Sequence, residues 1–176
     1  MISSNVKLLL KKQHYGVVGK HTRVKVCHWT KTDLRGEGTC YKNKFYGIKS
    51  HQCIQMTPTL SCNNACVFCW RDLRYHTEPT MSGGIDDPKE IVKETIEAQR
   101  GLLTGFGGNE KVDQNKYEAA KDPKHVAISL DGEPTLYPKL GELIDEYHKN
   151  GFSTFVVSNG LLPGNIEKLF KSPPTQ

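Results

Sequence analysis

Cys62, Cys66 and Cys69 stand in the segment Cys62-Asn-Asn-Ala-Cys66-Val-Phe-Cys69, a C-x3-C-x2-C spacing. Thiolates ligate iron–sulfur clusters, and three on one short loop can hold three irons of a cubane. The fourth iron then lacks a protein ligand, and an open metal position is where a substrate or cofactor coordinates. The loop contains no histidine and no fourth cysteine, so a zinc site would have to recruit a distant ligand. Three buried, unbonded cysteines are the remaining reading. A second set, Cys27, Cys40 and Cys53, is spaced C-x12-C-x12-C. That spacing closes no compact loop, but a folded extension could bring the three together. A second cluster with an open iron, zinc held by the three plus His28 or His51, and unconnected cysteines all fit it. All six cysteines lie between residues 27 and 69. In a cytosolic chain such a clump more often binds metal or does chemistry than forms disulfides.

The elements that must position these groups are legible in part. Residues 3–12 suit a short basic helix capped by Ser3 or Ser4. Residues 13–50 are rich in Gly, Lys and aromatics without long periodicity, and read as an irregular extension with short strands. Residues 52–58 read as a strand entering the cysteine loop. Asp87 and Pro88 give a cap and a first-turn proline, followed by Ile91, Val92, Thr95, Ile96, Leu102 and Leu103 at helical spacing. A short helix is expected around Tyr117. His125–Leu130 reads as a buried strand and Asp131-Gly-Glu-Pro134 as a turn. Leu140, Leu143, Ile144 and Tyr147 mark a second helix from Pro138, ended at Asn150-Gly151. Phe152–Val157 is a further strand, Ser158-Asn-Gly160 a loop, and a third helix follows Pro163. Strand–helix alternation of this kind implies a parallel sheet, with ligand chemistry at the C-terminal strand ends. The cysteine loop, Asp131–Thr135 and Ser158–Gly160 all fall there. The division expected is a basic extension over 1–51, an α/β core over 52–171 and a frayed tail over 172–176.

Charge separates the same segments. Residues 1–53 hold eleven Lys and Arg against two acids, a net of +9, and residues 54–176 a net of −4. The basic segment also carries Tyr15, Trp29, Tyr41, Phe45 and Tyr46, a composition suited to phosphate contact with base stacking, or to a solvated lysine-rich surface. With 36% hydrophobic residues, 24% charged residues and a mean hydropathy of −0.54, the 176-residue chain fits one domain and no membrane span. Leu8-Leu9-Leu10 is too short for a signal-peptide core. The expected compartment is cytoplasmic.

The cysteine loop resembles that of the radical S-adenosylmethionine (SAM) enzymes, including an aromatic residue, Phe68, just before the third cysteine. In that superfamily the open iron binds the amino and carboxylate groups of SAM, and cluster reduction releases a 5′-deoxyadenosyl radical. The resemblance places Gly132-Glu133 near the SAM amino group and Ser158-Asn159 at a neighbouring SAM contact. More narrowly, the chain resembles the archaeal 4-demethylwyosine synthases of the wybutosine pathway. The matching text is Cys53-Ile-Gln-Met-Thr-Pro58, Cys62–Trp70, Leu130-Asp-Gly-Glu-Pro-Thr135, and Cys27, Cys40 and Cys53, which that family uses for a second 4Fe-4S cluster.

This resemblance implies a tRNA-modifying carbon–carbon lyase. N1-methylguanosine beside the anticodon of tRNA-Phe would lose a hydrogen from its methyl group to the radical. The carbon radical would add to pyruvate, whose carboxyl carbon would leave, closing the third ring of 4-demethylwyosine. Lys42 and Lys49 match the family's candidate lysines for a Schiff base with pyruvate. His51 is a base or, preferentially, a hydrogen-bonded neighbour, and Trp70 stacks on a cofactor or base or packs in the core. The basic extension would bind the anticodon loop, and a flavodoxin- or ferredoxin-like protein would supply electrons. The family fold is a partial barrel of about six βα units, and this sequence supplies about three. That implies an open sheet edge and a second polypeptide, or a second copy, carrying the missing units.

Overall fold

The structure is a computed structural model that describes residues 2–69 and 78–176. Its centre is a five-stranded sheet ordered β1-β2-β3-β4-β5. Strands β1 (Gly16–Val18) and β2 (Thr22–Lys25) form a hairpin that pairs antiparallel with β3 (Cys53–Thr57). Strands β3, β4 (His125–Ile128) and β5 (Ser153–Val156) run parallel. Helix α4 (Pro88–Leu103) and α5 (Gln114–Ala120) lie between β3 and β4, α6 (Leu140–Lys149) between β4 and β5, and α7 (Pro163–Glu167) after β5. Helices α1 (Ser4–Lys12), α2 (His28–Leu34) and α3 (Tyr41–Tyr46) belong to the basic extension.

Strand alternation assigns the two faces. Ile54, Met56, Val126 and Ile128 point to one side and pack with Ile91 and Val92 of α4 and Leu143, Ile144 and Tyr147 of α6. Burying one such side chain contributes about 1.5–3 kcal/mol. The helices form where expected because their ends are satisfied. Ser3 caps α1, accepting from Val6 N–H, and Asp87 caps α4, accepting from Lys89 N–H ahead of Pro88. Thr95 and Tyr147 close the α4–α6 seam through a 2.7 Å hydroxyl pair. The other face of the sheet is left for chemistry. There the register aligns Lys25, Gln55, Ala127 and Phe155 in one row across four strands.

Three expectations change. The extension has the short strands expected but is otherwise more regular: its hairpin joins the sheet, Val18 and Val24 enter the same core as Ile54, and the helices α2 and α3 follow. Helices of seven and six residues are too short to display periodicity in sequence. The sheet therefore runs through the expected boundary at 51/52. The tail is not frayed at its tip. Gln176 N–H donates to Thr154 O and Gln176 O accepts from Val156 N–H, the pattern of a parallel bridge, while Thr175 and Thr154 exchange side-chain and backbone bonds. That pairing also covers part of the β5 edge expected to be open. Among the described residues no helix is long and apolar enough to cross a membrane.

Candidate active site

The cysteine loop leaves β3 through a short hydrogen-bonded run. Thr57 Oγ1 donates to Thr59 O, and Ser61 N–H donates to Thr59 Oγ1, so the exit is fixed before Cys62. The turn after β4 docks on this run, with Glu133 N–H donating to Ser61 O at 2.8 Å. Gly132 is required at the contact. Its φ is +70°, and a Cβ there would lie 2.2 Å from Thr59 O. Asp131 receives Arg23 Nη2 of β2 at 2.6 Å, with both side chains essentially buried. The extension hairpin is thereby tied to the same turn.

Cys62, Cys66, Phe68, Cys69, Gly132, Glu133, Ser158 and Asn159 line one cavity of about 450 Å³ at the C-terminal strand ends. All loop-site residues expected from sequence are brought together there. Phe68 is exposed at the rim. Asn159 reaches across to the loop, donating to Asn63 Oδ1 at 2.9 Å and approaching Cys62 Sγ at 3.9 Å. Glu133 is buried, and its carboxylate accepts from Thr135 N–H and Oγ1, Ser158 Oγ and Asn159 N–H. Three of these donors converge on Oε1 and one, Asn159 N–H, reaches Oε2, whose second acceptor position these bonds do not use. Within the chain Glu133 therefore fixes Ser158 and Asn159 at the cavity wall.

The second cysteine set also converges. Cys27 caps α2, Cys40 caps α3 and Cys53 opens β3, and all three line a cleft with Lys42, Thr30, Ser50, Gln55, Ala127 and Ser129. The cleft is narrow, about 30 Å³, and its three cysteines are the thiols a cluster would need. Burial pushes the Cys53 thiol up to about 12, against the pull of the Lys42 ammonium and with the push of Cys27 and Cys40. A bound metal's charge is what would release that proton. Lys42 lies 4.6 Å from the Phe155 ring centroid, while Lys49 is exposed and outside the cleft.

The histidines proposed for zinc are elsewhere. His51 Nδ1 pairs with buried Asp33 at 2.7 Å, and His28 packs edge-on against Trp29. Neither lines the cleft. Lys116 joins the same carboxylate at 2.7 Å. Burial alone would raise Asp33, but the hydrogen bonds from Lys116 and His51 and the His51 charge together hold it below its ordinary value. Among the described residues no three His, Cys, Asp or Glu side chains converge on a single ion.

Tyr15 corrects the stacking expectation. It is buried beneath Lys25 and Arg23, with Lys25 Nζ 3.9 Å from its ring centroid. A tyrosine held between cations in the interior presents no face to a base. Trp29, Tyr41, Phe45 and Tyr46 are exposed, as stacking requires. Trp70 lies outside the described residues.

Sequence reading missed Ser129, which lines both the cavity and the cleft. Its signal was strand alternation, since 125, 127 and 129 share a face. It also missed Thr30 and Ser50, whose signal was their position three residues from a cysteine.

The pattern of the Radical SAM superfamily matches residues 56–176. The S-adenosyl-L-methionine-dependent tRNA 4-demethylwyosine synthase of Pyrococcus abyssi is 52% identical over 171 residues, which cover 96% of this chain and 50% of that protein. A solved structure of TYW1 with a lysine–pyruvate adduct bound aligns at a TM-score of 0.86 and 44% identity, covering all of this chain and 57% of that one. A crystal structure of archaeal TYW1 aligns at 0.79 and 41% identity, with 58% of it covered. The chain thus spans about half the length of the curated relatives it matches. A three-thiol loop leaving a strand of a parallel sheet, a glycine-dependent turn docked against it and the superfamily match over that same stretch agree, and this chain belongs to the radical SAM superfamily.

Proposed function

We propose that this chain forms part of a radical SAM enzyme that makes 4-demethylwyosine from N1-methylguanosine in tRNA-Phe and pyruvate. The observation that carries this reading is the adjacency of two three-cysteine sites on one sheet face, with Ser129 in the wall of both and Lys42 in the second. Cys62, Cys66 and Cys69 would hold a 4Fe-4S cluster, which together with SAM would supply the radical chemistry for removing a methyl hydrogen. Phe68, Gly132, Glu133, Ser158 and Asn159 frame the SAM side of the cavity. Cys27, Cys40 and Cys53 would hold a second 4Fe-4S cluster.

Lys42 is the lysine that carries pyruvate: its amine adds to the keto carbon and water leaves. The lysine–pyruvate adduct described for the structurally similar TYW1 supports that chemistry. Lys49 is set aside by its position outside the cleft. The Lys42 amine sits beside an aromatic ring and buried thiols, which shields an imine from water. The exposed aromatics of α2 and α3 and the surrounding lysines receive the anticodon loop by phosphate contact and base stacking. The target base leaves its stack to reach the cavity. The rest of a partial barrel, from a longer polypeptide or a partner, completes the mouth over β5. A flavodoxin- or ferredoxin-like donor reduces the clusters, and the reaction takes place in the cytoplasm.

Anaerobic reconstitution tests the reading. About eight irons and eight labile sulfides per chain are expected for two cubanes, and dithionite with SAM should release 5′-deoxyadenosine. Zinc without labile sulfide would instead make the chain a tRNA-binding module without this chemistry.

A further inference from the structure

The three cysteines of the cleft come from three separate elements, and two buried hydroxyls join those elements. Thr30 sits on α2, three residues after Cys27. Its Oγ1 donates to Ser50 O at 2.9 Å and lies 3.4 Å from Cys53 O. Ser50 opens the 3-10 turn that leads into Cys53. Its Oγ accepts from Cys40 N–H at 2.9 Å. The path therefore runs from the Cys27 helix to the Cys53 strand start and on to the backbone of Cys40. Both hydroxyl residues are almost fully buried, at 0% and 2% exposure, and both line the cleft.

We propose that Thr30 and Ser50 are the positioning residues of the Cys27/Cys40/Cys53 metal site. They set the spacing of three thiols that sequence alone leaves twelve residues apart. The inference rests on the second-cluster reading above. Asp33 of α2 also ties the helix to this turn through His51, and the Thr30–Ser50 path is the one that continues to the backbone of Cys40. Thr30 Oγ1 reaches only backbone carbonyls, so a methyl in its place keeps the packing of α2 while cutting the link. Ser50 Oγ holds the backbone N–H of a ligand, a position whose loss shifts that ligand without touching its thiol. Groups that orient ligands in this way typically alter metal affinity by about 10–100-fold when removed.

The test uses the anaerobically reconstituted chain and the variants Thr30→Val, Thr30→Ser and Ser50→Ala. Iron release to a chelator is followed in time, and each cluster is titrated by EPR against potential. The variant with all three of Cys27, Cys40 and Cys53 replaced by alanine supplies the signal of the loop cluster alone. Thr30→Val and Ser50→Ala should speed release of the second cluster's irons about tenfold and shift its potential. The loop cluster's release and potential should stay unchanged, and Thr30→Ser should restore the parent behaviour. Circular dichroism separates a displaced site from an unfolded chain, and Ser50→Ala carries the test should Thr30→Val unfold. Parent-like release and potential in Thr30→Val and Ser50→Ala overturn the positioning role. A parent chain that takes only about four irons, equal to the triple-alanine variant, overturns the second-cluster reading itself.

Discussion

Removing either partner of the Arg23–Asp131 pair should cost more than removing both. The pair is 2.6 Å long with each side chain about 1% exposed, so neither charge is screened by water. Asp131→Asn keeps the shape of the turn but removes the carboxylate charge that faces the buried guanidinium at 2.6 Å. Breaking a buried pair this way costs about 3–5 kcal/mol, against about 5–15 kcal/mol for a whole domain. Arg23→Met should cost a similar amount and also loses the 5.2 Å cation–ring contact with Tyr15. The double variant Arg23→Met/Asp131→Leu removes both charges of this pair together, so it should be more stable than either single variant. Equilibrium urea unfolding of the four proteins, with slopes held equal, measures the coupling. Single variants costing less than about 1 kcal/mol, or a double variant whose loss is their sum, would falsify the claim that this pair fixes the turn.

Further outcomes follow from the same geometry. Gly132→Ala places a methyl against Thr59 O at φ +70°. It should cost at least about 1–2 kcal/mol and weaken SAM binding, while a parent-like melting curve and SAM affinity would show that the turn yields. Borohydride trapping with labelled pyruvate should mark Lys42 by mass spectrometry and be lost in Lys42→Arg. Label on Lys49 instead would reverse the assignment. Burial lowers the pKa of His21, and burial with the Lys49 and His51 charges lowers that of His125. The unfolded chain then binds more protons below about pH 6.5, so stability should fall as pH drops through that range. His125→Gln should flatten the fall, and an unchanged profile would contradict it. Asp33, whose pKa is depressed, should add a second loss of stability below about pH 4, absent in Asp33→Asn.

The loop site was legible because its ligands are local. Cys62, Cys66 and Cys69 fall within one turn of chain, and strand–helix alternation placed Asp131–Thr135 and Ser158–Gly160 at neighbouring strand ends. The second site was harder to read. Cys27, Cys40 and Cys53 meet only because two short helices and a hairpin fold back on the sheet, and none of these carries a long hydrophobic period. Tyr15 misled because composition counts aromatics without saying which cations will cover them. Lys42 and Lys49 could not be separated by type, and only the fold turns one into the cleft. The bonds of Thr175 and Gln176 to β5 have no local signature at all, since they depend on a strand edge set by distant pairing.

Ser129 has one more consequence. It lines both the cavity and the cleft, so the two chambers share this residue in their walls. A bulky replacement there, such as Ser129→Leu, would obstruct both chambers at once. Losses at this position would then be shared between the two sites, whereas cysteine replacements on either side would report on one site each.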